Sequence, residues 1–173
     1  MRAAVPADAA ACAAVYAPYV TGSATSFETE PPSAEEVARR IAAAQLTHAW
    51  LVLEDDDGRV VGYAYGGPYR SRPAYRSSCE VSVYLEPDRR RTGSGRALYA
   101  ALLERLAARG YRTPLAGMTL PDPASEGLHR ALGFRPAGVH RRVGDQAGAW
   151  HDVAWVQREL AGGDDPPVEP GGP

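Results

Sequence analysis

The chain contains no lysine: all 19 of its basic residues are arginine. Against 21 acidic residues they leave a formal net charge of −2. No bulk positive charge draws the chain to nucleic acid or to an anionic membrane. Cationic recognition falls to arginine, whose planar fork suits carboxylates and phosphates. Cysteine is scarce as well. Cys12 and Cys79 lie far apart, with no CxxC and no Cys/His grouping at zinc spacing. Two small buried apolar residues are expected from them, and no metal site. No apolar run approaches the roughly 18 residues of a membrane span. No charged-then-apolar leader opens the chain. The expectation is a soluble, cytoplasmic, unprocessed protein with neither nucleic acid nor membrane as a partner.

What is present is one domain's worth of sequence. The 173 residues are 45% hydrophobic, enough for an ordinary core. The stretch from Gly162 to Pro173 is Gly, Pro and acid with almost nothing to bury. It is expected to be disordered, with one domain on residues 1–161.

The patterning alternates strands and helices. Met1 to Val5 reads as a short strand, and Asp8 as the cap of a helix running to about Val20. Ser33-Ala34-Glu35-Glu36 has the capping-box pattern and opens a helix to about Leu46. Trp50 to Leu53 and Val60 to Tyr65 read as strands joined by the turn Asp55-Asp56-Asp57-Gly58. From Glu80 to Leu85 the pattern alternates: Val81, Val83 and Leu85 face one way, Glu80, Ser82 and Tyr84 the other. A helix with Leu98, Tyr99, Leu102, Leu103 and Leu106 on one stripe follows, ended by Gly110. A strand from Leu115 to Leu120 leads to Asp122-Pro123, an N-cap followed by Pro at the first helical position. That helix stops at Gly133. Arg135 to Val143 and Trp150 to Leu160 then close the domain as a hairpin. The order predicts an α/β fold, a mixed sheet with helices on both faces.

One junction carries chemistry. Arg89-Arg90-Arg91-Thr92-Gly93-Ser94-Gly95-Arg96 leaves a strand and starts a helix. The first turn of a helix has unpaired backbone N–H groups and partial positive charge, which suits a pyrophosphate. Gly93 and Gly95 clear its approach and permit unusual φ values. A solvated basic loop that merely caps a helix has the same ingredients. The Lys-Ser/Thr ending of a P-loop and the third Gly of a dinucleotide fingerprint are both missing.

The wider pattern narrows that choice. Arg90-x-x-Gly93-x-Gly95, after a strand and before an amphipathic helix, resembles the acetyl-CoA signature of the GNAT acetyltransferase superfamily. Leu132-Gly133-Phe134 resembles a second feature of it. The resemblance is closer to the phosphinothricin and methionine sulfoximine acetyltransferases, and it spans nearly the whole chain. It is carried by Thr25 to Pro31, Ala64 to Arg70, Ala74-Tyr75, Glu80 to Leu85, Arg91 to Gly95, Leu128 to Phe134 and Trp150 to Val153.

The resemblance implies a GNAT acyl-CoA N-acyltransferase fold, mostly antiparallel, with two parallel strands splayed to admit acetyl-CoA as co-substrate. It implies that the backbone of Val83, Tyr84 and Leu85 pairs with the pantetheine. The amides of Arg91 to Arg96, with Arg90 beside them, would hold the pyrophosphate, and Ser125 is a further contact. The acceptor would be a small amino acid whose neutral amine attacks the thioester directly, without an acyl-enzyme. Such an amine must lose a proton. Glu80 matches the relatives' catalytic Glu, although a strand-edge carboxylate is its plainest reading taken alone. His129 matches the place of a general acid to the departing thiolate, although a His near a helix C-terminus needs no catalytic reason. Phe27, Arg72 and Tyr75 match acceptor-side positions. Trp150, His151 and Asp152 are expected to support the pocket or a homodimer. Asp122 stands where relatives commonly have Asn, and helix capping explains it more simply than cofactor binding. Two other functions use the same residues: acetyl transfer to another amine, such as an aminoglycoside or a protein N-terminus, and non-catalytic sensing of acyl-CoA.

Overall fold

The computed structural model describes residues 1–89, 92–160 and 169–171. Seven strands form one sheet in the order β1-β2-β3-β4-β5-β7-β6. They are β1 Arg2–Ala3, β2 Ala49–Glu54, β3 Val60–Pro68, β4 Ser78–Leu85, β5 Thr113–Thr119, β6 Arg135–Gln146 and β7 Ala149–Gln157. The helices are α1 Ala9–Thr21, α2 Ala34–Thr47, α3 Ser94–Ala108 and α4 Pro123–Ala131. Every neighbouring strand pair is antiparallel except β4 with β5.

The sheet is covered on both faces because its strands alternate. On one face Ala49, Leu51, Ala64 and Val81 pack under the α3 stripe of Leu98, Tyr99, Leu102, Leu103 and Leu106. On the other, Trp50, Val52 and Tyr63 meet Cys12, Val15 and Tyr16 of α1 and Val37 and Ile41 of α2. Each fully buried aliphatic side chain contributes about 1.5–3 kcal/mol, so these two layers fix the sheet against its helices. Cys12 and Cys79 are both free and buried.

Local signals set most boundaries. Ser33 Oγ accepts the Glu36 N–H at 3.2 Å and opens α2. Asp122 Oδ1 accepts the Ser125 N–H at 3.0 Å and opens α4. Gly110 and Gly133 take φ of +91° and +81° where α3 and α4 end. Several bounds differ from the sequence reading, β6 running on to Gln146 and β7 stopping at Gln157 among them, and two differences have a clear cause. Asp8 does not cap α1; its carboxylate accepts from Arg2 at 2.6 and 2.8 Å and from the Val5 N–H at 2.8 Å. A guanidinium outcompetes the helix N–H groups because both partners are charged. Strand β3 also runs past Tyr65 through Gly66 and Gly67 to Pro68. Gly66 packs closely there: a Cβ would stand 3.1 Å from Leu106 Cδ2, which would have to shift to admit it.

Of the tail beyond residue 160, Glu169 to Gly171 are described. The Gly171 N–H donates to Arg109 O at 3.0 Å, and Glu169 pairs with Arg76 at 2.7 Å. The remainder of the stretch expected to be disordered lies outside the described residues, as do Arg90 and Arg91.

Candidate active site

Strands β4 and β5 part almost as soon as they meet. They pair only at Ser78–Thr113, Cys79–Pro114 and Glu80–Leu115. Beyond that apex a cleft opens, walled by Val81 to Tyr84 of β4 and Ala116 to Thr119 of β5. Thr25, Tyr99, Asp122, Ser125 and His129 complete its wall. Ser82 and Tyr84 face the α1–α2 side, and Tyr99 and His129 come from the α3–α4 side. The cleft therefore passes through the sheet.

The backbone of β4 is prepared for a ligand in that gap. Gly62 stands opposite Leu85, and the Glu86 N–H donates to Val61 O at 3.0 Å. This makes Gly62–Leu85 a non-hydrogen-bonded pair. By alternation Val81, Val83 and Leu85 turn their N–H and C=O groups away from β3 and into the gap. Tyrosine hydroxyls cap two of the three. Tyr99 Oη donates to Val81 O at 3.3 Å. Tyr19 Oη donates to Leu85 O at 2.6 Å and accepts the Leu85 N–H at 3.3 Å. Val83, between them, keeps its N–H and C=O facing the gap. A strand edge left in this way pairs with an extended amide chain such as a pantetheine arm.

The far end of the gap meets the start of α3. Gly93, at φ +84°, lets the chain turn into the helix. Gly95 lies inside α3, and a Cβ there would stand 2.9 Å from Leu85 Cδ1, so its small size packs the helix against β4. Thr92 Oγ1 donates to Arg89 O at 2.9 Å and lies 2.8 Å from Ser94 Oγ, and Arg96 is exposed on the first turn. The helix dipole and the free N–H groups of this turn fit an anion.

Glu80 sits at the apex, one residue before the cleft wall, and is half-buried. Burial pushes its carboxyl above the ordinary value of 4.5, and the Arg70 cation opposes that rise. Gly67 stands opposite it across the β3–β4 ladder. A Cβ at Gly67 would meet nothing within 4 Å, so the face beside the carboxylate is clear.

His129 is 5% exposed, its ring edge-on to Tyr99 and Phe134. Its Nδ1 lies 2.8 Å from Ser125 O and its Nε2 3.2 Å from Tyr99 Oη. Burial lowers its proton affinity, against the Ser125 bond and the Asp122 charge.

The acceptor-side residues stand outside the cleft wall. Phe27 and Tyr75 are each 40% exposed, and Arg72 is exposed. Tyr75 packs edge-on to Tyr69 at 5.8 Å. Phe27 lies on the hairpin backbone; a Cβ at Gly144 would stand 2.1 Å from its Cζ. Gln146 Nε2 donates to Glu28 O at 3.3 Å, so the α1–α2 loop rests on β6. Asp152 takes Arg141 at 2.6 Å and the Arg142 N–H at 2.8 Å, while His151 meets Gln146 O at 3.1 Å. Sequence reasoning missed Thr25, Tyr19 and Tyr99. A tyrosine on an apolar helical stripe reads as core, and no spacing rule marks its hydroxyl.

An acetyltransferase (GNAT) domain model matches residues 1–155. The chain belongs to the GNAT acetyltransferase family. It is 37% identical to a phosphinothricin N-acetyltransferase of Streptomyces viridochromogenes over 92% of this chain and 87% of that protein. It is 37% identical to an L-methionine sulfoximine/L-methionine sulfone acetyltransferase of Pseudomonas paraeruginosa, over 80% of this chain and 82% of the other. The solved structure of a GNAT superfamily phosphinothricin acetyltransferase from Sinorhizobium meliloti, in complex with acetyl-CoA, superposes with a TM-score of 0.91. That chain is 37% identical, with 97% of this chain and 92% of the other covered. The parted β4 and β5 of this GNAT domain are thus part of a shared fold. Among its described residues there is no group of three His, Cys, Asp or Glu able to hold a metal, and no helix long and apolar enough to cross a membrane.

Proposed function

We propose that this GNAT enzyme transfers the acetyl group of acetyl-CoA to the amino group of a small amino-acid-like acceptor of the phosphinothricin or methionine sulfoximine kind. The observation that carries the proposal is the cleft through the sheet, with a half-buried carboxylate at its apex and an open face beside it. Acetyl-CoA supplies an acyl carbon already activated as a thioester. Val83 pairs with the pantetheine along β4 through its backbone; Tyr84, whose backbone pairs with β3, and Leu85, whose N–H and C=O are held by Tyr19, flank the arm and do not bond it. The first turn of α3, Thr92 to Arg96, takes the pyrophosphate, with Arg90 and Arg91 adding charge. Ser125 lines the same channel. Glu80 accepts the proton of the incoming amine, a role that a raised carboxyl pKa suits. His129 supplies a proton on the thiolate side. Phe27, Arg72 and Tyr75 select the acceptor from the opposite face.

The enzyme also pairs with a second copy of itself. Val139 and Val143 of β6 and Trp150 of β7 are 42%, 55% and 60% exposed on one hairpin. A two-fold interface would cover them.

The test is thiol release from acetyl-CoA with phosphinothricin, methionine sulfoximine, methionine sulfone and the common L-amino acids. Saturable turnover with at least one is expected. Acetyl-CoA binding without release for any of them would leave the sensor reading instead.

A further inference from the structure

The loop from Gly22 to Ser33 joins α1 to α2 and carries Phe27. Around Phe27 its side chains alternate between two surroundings. Thr25 and Phe27 are exposed, Thr25 at the cleft wall and Phe27 over Gly144, its ring 6.3 Å from that of His151. Ser26, 5% exposed, and Glu28 turn to the helices instead. There the side chains form a closed set. A carboxylate only accepts, so the Tyr16 hydroxyl donates to Glu28 Oε1 at 3.1 Å. The Ser26 hydroxyl then donates to Tyr16 Oη at 2.6 Å, and its oxygen accepts the Glu28 N–H at 3.1 Å. Arg40 of α2 completes the set as a fork. Its Nη1 and Nη2 donate to Glu28 Oε1 and Oε2 at 2.8 and 3.1 Å. Its Nε donates to Glu36 Oε1 at 2.8 Å, which holds the plane of the guanidinium. Two-pronged pairing between charged groups fixes direction as well as distance. The loop is thereby tied to α1 through Tyr16 and to α2 through Arg40, at the two residues that flank Phe27.

We infer that Glu28 and Arg40 are positioning residues for the acceptor, their pairing holding Thr25 and Phe27 where the amine substrate must fit. The inference rests on the reading of Phe27 as an acceptor-side residue given above. Neither Glu28 nor Arg40 is part of the cleft wall, so both act through the loop. A loop already held in place costs no further ordering when the acceptor arrives. Released from Arg40, it must be ordered by the acceptor itself, and acceptor binding weakens. The groups proposed to hold acetyl-CoA, Val83 and the first turn of α3, are not on this loop, so cofactor binding is untouched.

Arg40→Met keeps the length of the side chain and removes the fork. The KM for the acceptor should rise about tenfold, with kcat changed by less than about twofold. Acetyl-CoA affinity by calorimetry should be unchanged. The chain has two phenylalanines, Phe27 and Phe134. Labelled with 4-fluorophenylalanine, it gives two fluorine resonances. The Phe27 signal should shift in Arg40→Met, while that of Phe134, packed on Tyr99 and His129, should stay. An unmoved Phe27 signal or an unchanged acceptor KM overturns the inference. So does a loss of acetyl-CoA affinity or a shift of both signals, which would mark a general loosening of the fold. If Arg40→Met does not fold, Glu28→Gln, which keeps the side-chain shape and removes the charge, is read in the same way. A wild-type enzyme that acetylates no amine refutes the proposed function instead, and the fluorine spectra, which need no acceptor, still decide whether Arg40 holds Phe27.

Discussion

At the scale of single residues, the role proposed for Glu80 predicts how the reaction answers to pH. Its carboxyl is displaced upward by burial and held back by Arg70. A base works only when ionised, so turnover should rise with pH through a midpoint above the ordinary carboxylate range. Removing the Arg70 charge with Arg70→Met should move that limb to higher pH, because the cation favours the ionised form. A pH profile of kcat/KM in the two proteins checks this, and coincident limbs would show that Arg70 does not act on the base. Glu80→Gln should abolish the pH limb with the turnover, while acetyl-CoA still binds.

At the scale of elements, the proposed acceptor face depends on what β3 omits opposite β4. Gly67 pairs with Glu80 and has open space where a side chain would project. Its φ is not in the left-handed region, so a larger residue folds there without backbone strain. Gly67→Val should place methyl groups beside the carboxylate. The KM for the amino-acid acceptor should rise at least about tenfold, roughly 1.4 kcal/mol of lost acceptor binding. Acetyl-CoA affinity should stay as it was, because Val83 and α3 lie further along the cleft. An unchanged acceptor KM would move the amine site elsewhere. The same logic explains why β3 outran its apparent end. Gly66-Gly67-Pro68 has the composition of a turn, but the ladder continues through Gly66–Val81, Gly67–Glu80 and Pro68–Cys79, with Leu106 packed over Gly66.

At the scale of the whole molecule, β6 is the outer strand of the sheet and almost wholly exposed along its twelve residues. Long exposed edges carrying apolar side chains are ordinarily covered. Val143→Asp would put a charge into the proposed two-fold contact and should turn a dimer into a monomer by sedimentation. A wild-type protein that sediments as a monomer at micromolar concentration would refute the pairing. The bulge of β6 between His140 and Gly144 is held by Asp152 from β7. It belongs to the hairpin itself and does not require a partner.

The amino-acid sequence by itself determined the order of elements, because strand alternation, the α3 stripe and the Ser33 and Asp122 caps are local and need no knowledge of distant residues. It also determined the glycine-led turn into α3, and through motif resemblance the family. The tertiary structure alone decided what lies far apart in the chain. Asp8 turned to Arg2, a charged partner that no capping rule anticipates. The parting of β4 and β5 after three pairs is a register between strands that no pattern within either one marks. Tyr99 meets His129 across 30 residues and Val81 across 18. Such contacts are fixed by packing rather than by periodicity, which is why a side chain legible only as core became part of the cleft wall.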